Sequence, residues 1–339
     1  MSSSDLLKNY LFSLIDINNE HSSHIELLED KWVQLTENIK AEKLLEFLRY
    51  YWNISHKVIR ANALFKAIRK EIITDKQVFS LVNEMMKYSD VYMGLMDEND
   101  DLWSDNEVRE NIKLLNLFHL RQPFSLLMVA KIKLQDKDFK LLLKSIITLC
   151  FRYNVICDKN PNDQETPFNE LAMMINRDSK FDLSLLMPLV IDDKEFESAF
   201  AEKSFPNNSR NMQLVRYILG KIEHFKGFTN EINISDDNAS IEHILPQSPD
   251  EGWCFDDSKV SKFVYRLGNT CLLERSYNRD LQNTNFATKK NVYAKSIYYY
   301  AKYIANNYDV WNENIIMQLQ KEMAGAAVTI WKLNIVRSI

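Results

Sequence analysis

The sequence is poor in the residues that interrupt helices. Six of its 339 residues are glycine and seven are proline, and residues 1–122 contain no proline and a single glycine, Gly94. Such a composition favours long helices joined by short polar connections. The sequence also has no glycine-rich loop of the Walker type, which argues against a P-loop NTPase.

Long apolar runs and a secretory leader are missing as well. No window holds the roughly 18 uncharged apolar residues of a membrane-spanning helix. Residues 1–10 contain no basic region followed by a small-residue cleavage site, so they are not typical of a secretory signal. The hydrophobic content of 46% and the aromatic content of 12% argue against disorder. We therefore expect a globular cytoplasmic protein with cores for two or three domains.

Cysteine is rare, and its spacing carries no metal motif. The four cysteines form no CxxC pair, so a structural zinc knuckle is not visible and reduced, mostly buried thiols are expected. Zinc binding by Cys254 and Cys271 together with a histidine is the alternative. The other two cysteines are Cys150 and Cys157.

Hydrophobic spacing predicts helices along most of the chain. Leu44, Leu48 and Trp52 recur at helical spacing, and Thr74–Gln77 has the form of a capping box that opens the next helix. Polar breaks lie at residues 158–166 and 203–210, and residues 230–239 are polar and rich in turn formers. Further helical patterns cover 114–120, 124–134, 139–153 and 212–223.

The periodicity changes after residue 239. Residues 239–245 and 267–273 are short and apolar and favour strands, whereas 286–300 returns to helical spacing. This strand, loop, strand, helix order predicts a ββα unit, and 311–333 predicts a long closing helix. We therefore expect a mainly α protein: an all-helical domain over 1–235, with a possible break near 158–166, and a small α+β domain over 236–339 with a C-terminal helix.

One segment of this acidic chain is basic. Residues 259–302 hold nine lysines and arginines and two acidic residues, a net charge of +7 in a chain of −5, so the remainder carries −12. Because phosphate neutralisation supplies much of nucleic-acid affinity, the segment predicts a polyanion-binding face. A solvated helix surface is the alternative. The residues expected to contact nucleic acid are Arg266, Arg275, Arg279, Lys290 and Lys295.

The same region gathers groups suited to phosphodiester hydrolysis, which needs an activated water, a cation and a scaffold that holds both. His243 can act as a general base, and Asn269 can accept the imidazole N–H. Glu242 and Asn278 offer hard oxygen ligands for Mg²⁺ or another divalent cation such as Mn²⁺. Lys289, or its neighbour Lys290, can hold a phosphate. Adjacent strand residues point to opposite faces, so Glu242 and His243 meet at one site only at a strand end or bend.

Four motifs carry a resemblance to a known family. Residues 242–247 read EHILPQ, residues 267–273 read LGNTCLL, Asn278 follows, and Phe286, Lys289, Tyr293 and Ser296 recur in the next helical pattern. Together they resemble the HNH-type (ββα-metal) nuclease domain of GmrSD-type restriction enzymes, which recognise modified or phage DNA. The resemblance implies metal ligands at Glu242 and Asn278, a water-activating His243, the motif asparagine at Asn269 and a basic helix position at Lys289.

Two departures from the family pattern stand out. Thr270–Cys271 occupies the place where the family usually has Leu-Thr. The ParB-like, NTP-using sensor domain that usually begins these enzymes is not found, although residues 5–12 and 47–52 resemble the helical region that follows it. We therefore expect the effector half of a split system, or a fragment of a fused one, whose partner is a sensor subunit.

The expected function is that of a Mg²⁺-dependent DNA endonuclease in a restriction or antiviral defence system, with no membrane partner. Two alternatives remain: a non-catalytic DNA-binding or scaffolding subunit of such a system, and an RNA-directed nuclease that uses the same site. His21, His24, His56, His119 and His224 have no spaced partners and are expected to be structural.

Overall fold

The computed structural model describes residues 3–15, 22–40, 42–228, 239–250, 252–253 and 255–335. These residues are mainly helical and include a two-stranded antiparallel sheet, which confirms the expected fold class. They form two compact units. The first contains the described residues up to Cys150 together with Lys159–Val190, and the second contains Phe151–Asp158 and Ile191–Leu333. None of the described helices combines the length and apolar character needed to cross a membrane.

The first unit is all helical. A 3₁₀ turn at Pro161–Gln164 precedes its last α-helix, and a second 3₁₀ segment, Leu183–Leu189, follows that helix. The α-helices are α1 (Ser3–Ser13), α2 (Ser22–Ile39), α3 (Leu44–Trp52), α4 (Ala61–Glu71), α5 (Asp75–Gly94), α6 (Asn106–Leu117), α7 (Phe124–Lys133), α8 (Asp136–Cys150) and α9 (Glu165–Asp178).

The helical patterns of the first unit agree with the sequence. The capping box at the start of α5 is present: the Thr74 hydroxyl accepts the Gln77 N–H, and the Gln77 side chain accepts the Thr74 N–H at 3.0 Å. The interruption between helices is shorter than the predicted polar stretch 158–166. The Asn160 side chain caps a 3₁₀ turn that leads directly into α9. The aromatic core includes Phe47 and Phe124, both fully buried.

The second unit contains the sheet. It opens with a π-helical turn, Phe151–Ile156, and a 3₁₀ turn, Leu267–Asn269, leads into its second strand. Its other elements are α10 (Asp193–Glu202), α11 (Ser209–Phe225), β1 (Ala239–His243), α12 (Asp257–Phe263), β2 (Thr270–Glu274), α13 (Arg275–Leu281), α14 (Phe286–Tyr293), α15 (Tyr299–Asn307) and α16 (Glu313–Ile330).

Strands β1 and β2 are antiparallel, with Ala239 opposite Glu274 and His243 opposite Thr270. Both strands were predicted, but the helix that completes the ββα order is α13, which begins directly after β2. The segment 286–300, predicted as one helix, is divided between α14 and α15. The Glu274 carboxylate accepts the Ser296 hydroxyl at 2.9 Å and the Ile297 N–H at 2.7 Å, which satisfies polar groups in the break.

Helix α16 approaches the turn before β2 very closely. A Cβ added to Gly268 would lie 2.1 Å from the Ile316 carbonyl oxygen and 2.8 Å from Cβ of Gln320. Gly268 also donates its N–H to Gln320 Oε1 at 3.2 Å. The glycine of the LGN motif is therefore required by helix contact and not only by a turn.

Gln320 joins the sheet region to α10. Its amide nitrogen donates to the carbonyl oxygens of Phe200 and Lys203, both at 2.8 Å, and its oxygen accepts Arg266 Nε at 3.0 Å. Helices α10 and α11 thus belong to the same compact unit as the strands. The boundary predicted at residue 235 falls in 229–238, outside the described residues, and stays a prediction.

Candidate functional site

The end of β1 orients the Glu-His pair of the motif. Successive side chains of a strand point to opposite faces. Glu242 points toward α14, where its carboxylate meets Lys289 and Tyr293, whereas the His243 ring lies edge-on against Tyr265, with ring centroids 5.9 Å apart. The two side chains therefore face different surroundings, although they are neighbours in sequence.

The Glu242 carboxylate is buried in a network with α14. Lys289 Nζ lies 2.6 Å from Glu242 Oε1, and the Tyr293 hydroxyl donates to the same oxygen at 2.7 Å. Lys289 is fully buried, stands 5.9 Å from the Trp253 ring centroid, and also donates to the main-chain oxygen of His243 at 2.9 Å. One ammonium group thus holds both the carboxylate side chain and the backbone of the next residue.

Within this network the charges of Glu242 and Lys289 are paired with each other. Burial raises the pKa of Glu242, and the Lys289 cation with the two hydrogen bonds opposes that rise. Burial and the Glu242 charge raise the pKa of Tyr293 well above its ordinary value, so the phenol remains a donor. Removal of one member of a buried ion pair leaves an unpaired charge, at a cost of about 3–5 kcal/mol.

These contacts bear on two predicted roles. The sequence suggested that Lys289 binds a phosphate. Lys289 is 0% exposed, so its ammonium is not at a surface where a phosphate can reach it. The metal-ligand role of Glu242 stays a prediction and would fall to Oε2, which accepts no hydrogen bond from the described residues.

His243 is half-buried, and its pKa is lowered. Partial burial and the Lys289 cation lower the pKa of His243 from 6.5 to about 4. The imidazole is therefore neutral at neutral pH, the form that a general base requires. Among the described residues, no hydrogen bond engages either ring nitrogen.

Asn269 is fully buried and holds the turn that follows His243. Its Oδ1 accepts the Leu245 N–H at 2.8 Å and Trp311 Nε1 at 3.0 Å, and its Nδ2 donates to the carbonyl oxygens of Leu245 and Val264 at 2.9 and 3.1 Å. The expected bond from Asn269 to the imidazole is not formed, because these four contacts use the whole amide. Asn269 instead fixes the backbone where β1 ends.

Asn278 lies on α13 beside the outer edge of β1. Its Nδ2 donates to Ser240 Oγ at 2.9 Å and to the Ile241 carbonyl oxygen at 3.0 Å. These bonds fix the amide, and Oδ1 accepts no hydrogen bond from the described residues. Since a strand advances about 3.3 Å per residue, His243 lies roughly 7 Å along β1 from the carbonyl that Asn278 holds.

Two predicted nucleic-acid contacts flank Asn278 on the same helix. Arg275 and Arg279 are both exposed and stand at i and i+4, with Asn278 at i+3, so the three share one face of α13. Arg279 has an exposed ion pair with Asp280 at 3.3 Å, which solvent screens strongly. This face places positive charge beside a fixed amide oxygen.

The other predicted contacts differ in position. Lys295 is exposed just after α14, and Lys290 is paired with the exposed Asp309 at 2.6 Å. Arg266 is 4% exposed and points inward, where it donates to Gln320, Glu202 and the Ala201 carbonyl oxygen. Arg266 therefore does not share the surface of the other basic residues.

The described residues contain no group of three or more His, Cys, Asp and Glu side chains placed to hold a metal ion. Cys150 and Cys271 are buried thiols and Cys157 is partly buried. Burial and the nearby Glu242 carboxylate raise the pKa of Cys271 well above its usual value. Cys254, the other cysteine of the zinc alternative, lies outside the described residues.

Several structural residues of the site had no role predicted from the sequence. Tyr293 follows Lys289 by four positions on α14, and this helical spacing is a local signal that both side chains share a face. Gln320, which holds the turn before β2, lies on another helix and has no such signal. Ser240 lies two residues before the EHILPQ motif, and its bond to Asn278 depends on the placement of α13.

Comparison with known protein families gives a match over part of the chain. Residues 190–326 match the family model of the C-terminal domain of GmrSD restriction endonucleases. The chain is thus similar to this family over less than half of its length. The matched segment begins before α10 and includes α11, both strands, and α12 to α15 with most of α16. No curated protein matches the chain.

Proposed function

We propose that the segment of this protein similar to the GmrSD C-terminal domain is a metal-dependent DNA endonuclease of the HNH, ββα-metal type. The observation that carries the proposal is strand β1, which ends at a neutral His243 and holds the amide of Asn278 at Ser240 and Ile241, with two exposed arginines on the helix face of Asn278. The family match to restriction endonucleases supports DNA as the substrate.

The residues present fit a divalent cation. Asn278 Oδ1 is a hard oxygen ligand without a hydrogen bond from the described residues, and its amide is fixed by two bonds to β1. Mg²⁺ suits such a site because it usually keeps several waters and takes few protein oxygens. Glu242 is not proposed as a ligand of this cation, because its carboxylate faces α14 and not the side of β1 that carries His243. Mn²⁺ is an alternative cation. When bound, the cation would stabilise charge on the phosphate and on the leaving oxygen.

His243 is proposed to remove a proton from the attacking water. The water oxygen would form the new bond to phosphorus, the bond to the leaving sugar oxygen would break, and the proton would pass to a ring nitrogen of His243. A positioned general base typically contributes about 10²–10⁴-fold to rate. Asn269 supports this role indirectly, since it holds the backbone at Leu245.

Arg275 and Arg279 are proposed to bind DNA phosphates next to Asn278. Both are exposed on the helix face that carries this asparagine, and guanidinium groups pair well with phosphate oxygens. Lys295 and Lys290 are proposed to extend this contact. We leave Arg266 out of the DNA-binding face because its side chain is buried.

A role in defence against modified or phage DNA, with a sensor subunit as partner, completes the proposal. It rests on the family match, since these restriction endonucleases are defence enzymes. The helical first unit is the part of the chain proposed to bind that sensor.

Purified protein incubated with supercoiled plasmid and Mg²⁺ tests the proposal. Wild type is expected to cleave, whereas His243→Ala and Asn278→Ala each lose at least about 100-fold in rate, in line with loss of a general base or a metal ligand. Chelation with EDTA should abolish cleavage. Lys87→Ala serves as a control, because it removes only an exposed ion pair with Glu84 (2.8 Å) on α5.

Substrate comparison separates the alternatives. Equal cleavage by wild type, His243→Ala and Asn278→Ala would contradict the assigned site. Preferential cleavage of RNA would mean that RNA, and not DNA, is the substrate of the same site. DNA binding without cleavage, even with a sensor subunit added, would favour a non-catalytic binding subunit.

A further inference from the structure

We infer that Lys289 is a positioning residue that holds the backbone of His243 for catalysis, with Glu242 as its fixed counter-charge. The inference rests on the proposed nuclease function and assigns to Lys289 a role different from phosphate binding. Its basis is the double contact of one buried ammonium group with Glu242 Oε1 at 2.6 Å and with the His243 carbonyl oxygen at 2.9 Å.

The burial of Lys289 argues for this role. Its side chain is 0% exposed and stands over the Trp253 ring, so it contributes nothing to a surface that attracts DNA. Lysine is rarely buried unless it is paired. Here its charge is paired with Glu242, which leaves further N–H donors of the ammonium free to bind a main-chain oxygen.

The position of the contact explains what it does. The His243 carbonyl is at the last residue of β1, opposite Thr270, where the pairing with β2 ends. The next residues are held by Asn269 through Leu245. Lys289 and Asn269 therefore bind the backbone at and after His243 from two different elements, and the ring direction depends on both.

Tyr293 provides a matched control within the same network. It lies one turn after Lys289 on α14 and donates to the same Glu242 oxygen, but it does not contact His243. Tyr293→Phe thus removes one hydrogen bond from the carboxylate and leaves the bond to the His243 carbonyl. Lys289→Met removes both the charge pair and that bond.

The experiment compares wild type, Lys289→Met, Tyr293→Phe, His243→Ala and the double variant Glu242→Gln/Lys289→Met. The double variant leaves no unpaired buried charge and keeps the Tyr293 hydroxyl as a partner for residue 242, so it guards against simple misfolding of Lys289→Met. Two readouts are used: kcat and KM for plasmid cleavage at saturating Mg²⁺, and the His243 imidazole signals in metal-free protein labelled at histidine.

The expected result is a fall in kcat of about 10- to 100-fold for the two Lys289 variants, with KM for DNA unchanged, as for the loss of a supporting contact. The His243 imidazole signals should shift in both, and Tyr293→Phe should change kcat much less than Lys289→Met. The concentration of Mg²⁺ at half-maximal rate should stay the same in Lys289→Met, which distinguishes positioning from loss of a metal ligand.

Several results would overturn the inference. Imidazole signals that do not move in folded Lys289→Met or in the double variant exclude positioning of His243, whether or not cleavage is observed. A wild-type kcat in the double variant, or a raised KM in place of a lowered kcat, also excludes it. Wild-type cleavage by His243→Ala would instead overturn the proposed function, and absence of cleavage by wild type leaves the imidazole readout to decide the inference.

Discussion

At the scale of single residues, the site depends on how each polar group is satisfied. Glu242 has two donors on one oxygen, Asn269 uses its whole amide, and Asn278 uses only its nitrogen. These differences separate groups that build the backbone from groups that remain available for a ligand. Residues of the same sequence motifs therefore have different structural roles.

The pKa of His243 is the first residue-scale prediction. In metal-free protein the imidazole should titrate near pH 4, because burial and the Lys289 cation lower its pKa from 6.5. A lowered folded-state pKa means that this group's contribution to stability is present above about pH 6.5 and is lost as the pH falls toward 4. NMR titration of labelled histidine, with His243→Asn to assign the signal, measures it. A midpoint near 6.5 would contradict this account of the ring's surroundings.

Gly268 gives a second residue-scale prediction. Gly268→Ala should lower the free energy of unfolding by about 1–3 kcal/mol, because the new Cβ would overlap the Ile316 carbonyl oxygen and displace α16. Gly252→Ala is the matched control, since its Cβ would meet its nearest neighbour, Asn285 Cβ, at 3.7 Å. Urea unfolding of both variants measures the difference. Equal free energies of unfolding for Gly268→Ala and Gly252→Ala would show that α16 can move away from residue 268 without loss of stability.

At the scale of elements, α13 connects the fold to the proposed chemistry. It begins directly after β2 and brings Arg275, Asn278 and Arg279 to one face beside β1. The sequence indicated both strands and the importance of Asn278, but it did not predict this helix. A seven-residue helix next to a strand offers too short a window for helical periodicity to be recognised.

The arginines of α13 yield an element-scale prediction. In Arg275→Ala/Arg279→Ala, the slope of log Kd against log salt should fall by about 2, since each phosphate contact contributes about 0.9 to that slope. Cleavage at saturating DNA should change much less than affinity. Fluorescence anisotropy with labelled duplex DNA measures the slope. Lys321→Ala/Lys332→Ala removes the same charge from other exposed positions, and an equal loss in that control would mean that net charge alone explains the effect.

At the scale of the whole molecule, two compact units coexist in one chain, and the family match lies almost entirely in the second. The sequence predicted the mainly helical class, both strands and the closing helix, because these depend on local spacing. It did not predict that α10 joins the strands. That contact depends on Arg266 and Gln320, which are distant in sequence and carry no shared local pattern.

This organisation predicts how fragments behave. A fragment of residues 236–339 should fail to unfold cooperatively, because Arg266 loses Glu202 and Ala201, and Gln320 loses the carbonyl oxygens of Phe200 and Lys203. Buried polar groups without partners cost about 1–3 kcal/mol each. Circular dichroism and amide NMR measure the outcome against the full chain. A dispersed spectrum from the fragment would establish 236–339 as an independent domain.

Asn278 and His243 are proposed to form one metal-dependent site, and locating a bound cation tests this claim. Crystals soaked in Mn²⁺ should give an anomalous difference peak about 2.0–2.2 Å from Asn278 Oδ1 on the side of β1 that carries His243, and Asn278→Ala should remove it. A peak elsewhere in the molecule, or one that survives in Asn278→Ala, would contradict the claim.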